Sequence, residues 1–411
     1  MEKLPIATLP ESNSLATNSY ARLHSLHRAW SPWYTSLRQA FPTYIAIHIG
    51  FVVISCVSVL YSGPLRPIYA LPFNTLWNSW KRWDAFHFIS IASQGYARTP
   101  TETAYFPLYP LLARMGAFFT HSVFSSGLLI SNISGLVMLV VLYRLVEEDF
   151  GKERATRTIL YLSIFPGAFF FSAMYSESLF LTLIISGFYN IRRGSWWIAG
   201  LCGFLACLTR STGILFVLPF LYEYLQQHHF KLRAIRFNIL AIGLIPAGII
   251  TFAIYCYLQF HNPLLFLQAQ AHWGRFLRSP WYGIEGAILS LFNSKAILSF
   301  LFLRNMLDLI PVFFVLTILV LSFLGPWRFS RLQWSYGIFA IAVFLFSVSF
   351  PMDHFTIPLA ATTRYLLAIF PAFIIIAAIG KNRSFNLLYI SISGALLFFF
   401  LTQFLTGYWV I

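Results

Sequence analysis

From Tyr44 onward the chain alternates long apolar runs with short polar breaks. The first run begins at Tyr44 and continues through IAIHIGFVVISCVSVLY. A bilayer-crossing helix needs roughly 20 apolar residues. Further candidates lie near 127–146, 156–173, 177–191, 195–209, 212–227, 237–259, 303–324, 333–350, 365–380 and 385–405. The pattern predicts about eleven spans, within ten to twelve. The stretch 105–121 is expected not to cross, because it holds two prolines and Arg114. Residues 1–43 are polar, rich in Ser and interrupted by Pro5, Pro10, Pro32 and Pro42. They show no apolar core followed by a small-residue cleavage site. We therefore expect a cytoplasmic segment over 1–43, an uncleaved first anchor, and one transmembrane domain over 44–411.

Composition points the same way. Of 411 residues, 58% are hydrophobic, 19% aromatic and only 10% charged, against about 25% charged in soluble domains. That leaves too little polar surface for a water-soluble globule and implies an all-α polytopic membrane protein. The net charge of +15 does not imply nucleic acid, because the basic residues fall in clusters between apolar runs. Arg144, Lys152, Arg154 and Arg157; Arg192 and Arg193; Lys231, Arg233 and Arg236; Arg328 and Arg331; and Lys381 and Arg383 occupy alternate short loops. The positive-inside rule then places the N-terminus inside. Cys56, Cys202, Cys207 and Cys256 sit within apolar runs and read as small buried hydrophobes.

This topology sends Asp84, His87, Glu177, Arg210, His272, Arg275, Asp353, His354 and Arg364 to the outer side. Ionisable residues beside spans are functional candidates by default. In WNSWKRWDAFHFISIASQGY (77–96), Trp80, Asp84, His87 and Ile91 share one helical face, and Gly95 supplies a stop. With its Trp residues this reads as an interfacial helix presenting a carboxylate at the membrane–water boundary. The plainer alternative pairs Asp84 with Lys81 or Arg82. YFPLYPLL (105–112) has prolines three apart, which predicts a kinked or re-entrant segment. Ser176–Glu177–Ser178 stands between two runs, where Glu177 fits a helix start or needs a cation. Arg210, in LTRSTG, either snorkels or faces a cavity, where its planar fork suits phosphate. AQAHWGRFLRSPW (269–281) brings His272, Trp273, Arg275 and Arg278 into what also reads as an amphipathic interfacial stretch. Arg304 and Asp308 are spaced to neutralise each other. Zinc-site spacings, a P-loop, GxGxxG and GxSxG are absent from the sequence, which excludes nucleotide hydrolysis and dinucleotide chemistry.

Five strings, RWDAFHFISIASQGY (82–96), AYFPLYPLL (104–112), FFFSAMYSESLFL (169–181), LTRSTG (208–213) and RYLLAIFP (364–371), resemble the GPI mannosyltransferase II (PIG-V-like) family. The resemblance implies a GT-C glycosyltransferase that takes mannose from a dolichyl or polyprenyl phosphate on the external or luminal face. Eukaryotic members add the second mannose of the GPI core. The AQAHWGR and DHF segments look more like bacterial relatives, which implies a bacterial plasma membrane and leaves the acceptor, a glycan or lipid-linked molecule, and the sugar itself open; a eukaryotic chain would lie in the endoplasmic reticulum membrane. Asp84 matches the Asp of the family's Trp-Asp motif and is expected to be the general base of an inverting transfer. Arg210 and Arg364 are expected to hold the phosphate, with His272 and Arg275 after them. Glu177 would bind sugar hydroxyls or orient an arginine. His87 would position Asp84, and Trp83 would pack on sugar or lipid. No cofactor is implied, and a divalent metal is compatible but not demanded. The rival class is a transporter or flippase of a lipid-linked sugar; its inverted repeats have no counterpart in the two halves of this sequence.

Overall fold

The computed structural model describes residues 13–61, 73–96, 99–293, 296, 299–352 and 356–408. In chain order its helices are α1 (Asn13–Tyr61), α2 (Phe73–Ser79), α3 (Asp84–Gln94), α4 (Leu108–Thr120), α5 (Val123–Phe150) and α6 (Lys152–Ser163). Next come α7 (Glu177–Arg192), α8 (Trp196–Thr209), α9 (Val217–Gln227), α10 (Leu244–Phe260), α11 (Leu265–His272) and α12 (Tyr282–Phe292). The last are α13 (Phe300–Phe323), α14 (Trp334–Ser349), α15 (Thr362–Leu366), α16 (Phe370–Ile379) and α17 (Arg383–Leu405). Among the described residues the β-structure is a single isolated bridge, Arg275–Met352. The protein is an all-α multi-pass membrane protein. Among the described residues six helical stretches are long and apolar enough to cross: Pro32–Tyr61, Val123–Phe150, Phe237–Phe260, Phe300–Phe323, Arg331–Ser349 and Arg383–Leu405. The helix carrying the first span starts at Asn13 and passes through Pro32 and Pro42.

The apolar run at 156–173 is not one helix. α6 stops at Ser163 and a 3-10 turn covers Ala168–Phe171. Pro166 between them has no N–H to continue the ladder. Broken backbone at membrane depth is tolerated only inside protein, because lipid cannot satisfy its polar groups. Every residue from 161 to 178 is accordingly buried. α5 supplies the missing partners: Asn132 Nδ2 donates to Ser172 O at 3.1 Å, and Ser131 Oγ to Tyr175 O at 3.0 Å. The break delivers Glu177 to the first position of α7 in the bundle interior.

Two local expectations change. The prolines of YFPLYPLL do not kink a helix; they start one, with Pro107 capping α4 and Pro110 in its first turn. The first-turn N–H groups have no intrahelical partner, so proline loses nothing there. The predicted helix over 77–96 is two helices with a turn at 80–83, where Trp83 has φ 49°. Trp80 Nε1 donates to Ser55 Oγ of α1 at 3.1 Å. Arg82 Nη2 donates to Leu405 O at 2.8 Å, at the carboxyl end of α17. Trp80 and Asp84 therefore serve different neighbours. Gly95 ends α3 as its spacing predicts, with φ 72° and its N–H bonded to Ile91 O at 2.8 Å; the missing Cβ permits that backbone.

At the far ends of α5 and α7, Arg192 bonds Asp149 at 2.9 Å and Glu223 at 3.1 Å, and Tyr336 donates to Asp149 at 2.7 Å. This knot ties α5, α7, α9 and α14 about 22 Å along α7 from Glu177, at 1.5 Å per residue. Arg192→Ala leaves two carboxylates uncompensated and should cost roughly 3 kcal/mol. A lowered thermal unfolding midpoint in detergent checks this; an unchanged midpoint would show that the knot contributes nothing.

Candidate active site

Four charged side chains converge from four helix ends. Asp84 opens α3 and Glu177 opens α7, where the N-terminal dipole favours a carboxylate. Arg210 caps the carboxyl end of α8, where the dipole favours a cation, and Arg364 lies in the short α15. Arg364 Nη1 donates to Asp84 Oδ2 at 2.6 Å, and its Nε donates to Glu177 Oε1. Arg210 Nη1 donates to the same Glu177 oxygen at 2.5 Å. One guanidinium thus bridges two carboxylates, and one carboxylate bridges two guanidiniums. Pairing with Lys81 or Arg82, the plainer sequence reading of Asp84, is not what forms: Lys81 lies over the Phe86 ring and Arg82 holds Leu405 O.

Aromatic rings floor the cations. Arg364 lies 4.6 Å from the Tyr175 ring and 5.2 Å from Phe170; Arg210 lies 5.5 Å from Tyr365. Glu177 is buried, and its second oxygen, Oε2, has no partner among the described residues. A small cleft opens beside the cluster, lined by Glu177, Arg210, Thr212, Ser347, Arg364 and Tyr365 with apolar neighbours.

On the other flank of Asp84, Tyr105 donates its hydroxyl to Oδ1 at 3.2 Å. Burial alone would push the Asp84 carboxyl up. The charge and hydrogen bond of Arg364, with His87 and Arg210 behind them, outweigh burial and hold it below the ordinary aspartate range. Burial and the charge of Asp84 push the Tyr105 hydroxyl up, so it remains a donor. His87 stacks on Tyr105 with ring centres 4.9 Å apart, and its Nδ1 faces Glu102 Oε1 at 3.5 Å. Trp273 stands edge-on to His87 at 5.1 Å.

Of the remaining candidates Arg275 comes nearest the cluster, 5.1 Å from the Tyr365 ring that Arg210 also lies over. Trp83 is 40% exposed at the turn before α3. His272 is exposed at the end of α11 and touches Trp273 edge-on at 5.9 Å. Arg275, expected as a second-rank phosphate ligand, donates to Phe350 O and Ala360 O, each at 2.8 Å. A buried guanidinium must find acceptors, and the Phe350 and Ala360 carbonyls supply two. Arg304 and Asp308 pair within α13 at 3.2 Å, as their spacing predicts. Asp353 and His354 lie outside the described residues. Tyr105, Tyr175, Tyr365 and Glu102 are not marked out by the sequence, although the three tyrosines stand inside the quoted strings; Trp273 is marked there only as part of an interfacial stretch. Among the described residues no three His, Cys, Asp or Glu side chains gather as a metal site would require.

Fold and cluster define a polytopic helical membrane protein with a charge-balanced polar site where its helix ends meet. Residues 67–276 match the mannosyltransferase (PIG-V) family, and the chain belongs to that family. Arg364 lies beyond the matched range. GPI mannosyltransferase 2 of Yarrowia lipolytica is similar at 25% identity, over 49% of this chain and 55% of the relative. GPI alpha-1,6-mannosyltransferase 2 of Mus musculus is similar at 33%, over 32% of this chain and 29% of the relative. The chain thus spans about half of the first of these and under a third of the second. Among solved structures, ArnT from Cupriavidus metallidurans bound to undecaprenyl phosphate is similar with a TM-score of 0.46 and 17% identity, over 82% of this chain and 60% of that chain.

Proposed function

We propose that this protein transfers mannose from a polyprenyl or dolichyl phosphate to a glycan or lipid-linked acceptor, at a site on the external or luminal face of the membrane. The observation that carries the reading is Asp84, an ionised carboxylate flanked by a two-arginine cleft. The acceptor hydroxyl oxygen attacks the anomeric carbon while the bond from that carbon to the phosphate oxygen breaks. The hydroxyl proton passes to Asp84, and the electron pair leaves with the phosphate. Charge grows on the phosphate as the bond breaks, so Arg210 and Arg364 stabilise the transition state more than the ground state. Attack opposite the leaving group inverts the anomeric centre. Glu177 holds the two guanidiniums in place, and its unpartnered oxygen is available to a sugar hydroxyl. Family membership and the names of the relatives support mannose as the sugar.

The test is purified protein in proteoliposomes with radiolabelled polyprenyl-phosphate mannose and a panel of glycan acceptors. Mannosylated product is the expected result; an intact donor under all conditions would sink the proposal. Asp84 works as a base only when ionised, and its depressed pKa keeps it so well below neutrality. From pH 7 to 5 kcat/KM should therefore stay flat with respect to Asp84, with activity lost only as pH falls through a value below the usual 3.9 or so. An acid limb centred near neutrality would assign the proton to another group.

A further inference from the structure

The surroundings of Asp84 are strongly asymmetric. Both cluster arginines contact carboxylates on one flank. On the other, Asp84 Oδ1 accepts from Tyr105, on which His87 stacks and to which Trp273 stands edge-on, with the buried Glu102 behind His87. Phosphate therefore belongs on the first flank. In a single displacement the attacking oxygen and the leaving phosphate stand on opposite sides of the anomeric carbon, and the base stands beside the attacking oxygen. Resting on the donor assignment above, we propose that His87, Tyr105 and Trp273 form the acceptor subsite, and that it takes an uncharged saccharide ring.

The chemistry of this wall suits a sugar. A pyranose presents an apolar C–H face and a rim of hydroxyls, so it is recognised by an aromatic wall edged with hydrogen-bonding groups. Tyr105 and Trp273 supply the wall, their ring centres 6.1 Å apart and nearly perpendicular. Three polar groups edge it. His87 has its Nδ1 toward Glu102, its Nε2 without a partner among the described residues, and a side chain 32% exposed. Glu102 also accepts from Ser90 Oγ at 3.2 Å, which fixes the carboxylate that orients the imidazole. The Trp273 indole N–H is enclosed and lacks an acceptor among the described residues, a costly state that a hydroxylated ligand would relieve. A second phosphate or carboxylate on the acceptor's ring would meet the Glu102 and Asp84 carboxylates, while the cation bonded to Asp84, Arg364, is already shared with Glu177, so this flank selects against charge.

Equilibrium binding with two probes tests the assignment without depending on turnover. Octyl α-D-mannopyranoside stands for a neutral saccharide acceptor, and undecaprenyl phosphate for the donor's leaving group. Trp273→Ala should raise the Kd of the mannoside about tenfold, through loss of a stacked face and a donor, while the Kd of undecaprenyl phosphate stays within about twofold. Trp273→Phe keeps the bulk of the wall and should show a smaller loss of the same kind, and His87→Asn should weaken the mannoside alone. Mannoside binding unmoved by all three variants, or both probes weakening together, overturns the subsite. Undecaprenyl phosphate binding unchanged in Arg210→Lys would instead overturn the donor-side reading, so the two failures are distinguishable.

Discussion

Asp84→Asn should lower sugar transfer about a thousandfold or more, the scale expected when a general base is removed. The substitution preserves shape. The amide oxygen still accepts from Arg364 or Tyr105, and Arg364 keeps its second partner, Glu177. The ability to take a proton is lost, together with the charge facing Arg364 and one of the two acceptor oxygens, so a lowered melting temperature is expected beside the lost transfer. Transfer in proteoliposomes, normalised to folded protein by size exclusion and thermal melting, separates this outcome from misfolding. Wild-type rates in a folded Asp84→Asn protein would remove the base assignment.

Arg364 carries the second large effect, and two substitutions divide its roles. Arg364→Ala leaves Asp84 without its 2.6 Å partner and takes one of two cations from the buried Glu177. Removing one member of a buried ion pair costs about 3–5 kcal/mol, so this variant should melt early or fail to accumulate. Arg364→Lys keeps the charge but not the planar fork, and a point-like ammonium cannot hold both carboxylates and a phosphate in fixed geometry. It should fold, with kcat lower by about a hundredfold, the loss typical of one preorganised donor to developing charge. The lysine variant's kcat, measured beside its melting temperature, checks this. Full activity there would mean that Arg364 is structural and that the phosphate rests on other groups.

The sequence made the membrane class and the outline of the site legible through local signals. Apolar run lengths marked the longer spans, and the scarcity of charge excluded a soluble globule. Gly95 was readable as a stop because its role depends on its own φ and on a bond four residues back. Asp84, Glu177, Arg210 and Arg364 stood out because charge beside apolar runs is costly enough to need a reason. Proline misled in YFPLYPLL because it is excluded from helix interiors yet tolerated in first turns, and which position it occupies depends on where α4 begins.

What only the tertiary structure decided is which charge meets which. Asp84 and Arg364 are 280 positions apart, and Arg364 and Glu177 are 187 apart. Lys81 and Arg82 were nearer in sequence but point elsewhere, since Arg82 is drawn to the free carbonyl at the end of α17. Arg275 matched the arginine pattern as well as Arg210 does, but the fold sets it on the Phe350 and Ala360 carbonyls and the Tyr365 ring rather than on a carboxylate. The physical reason is the same throughout. Hydrophobicity and turn chemistry act over a few residues and can be read along the chain, whereas an ion pair is fixed by where whole helices end in space.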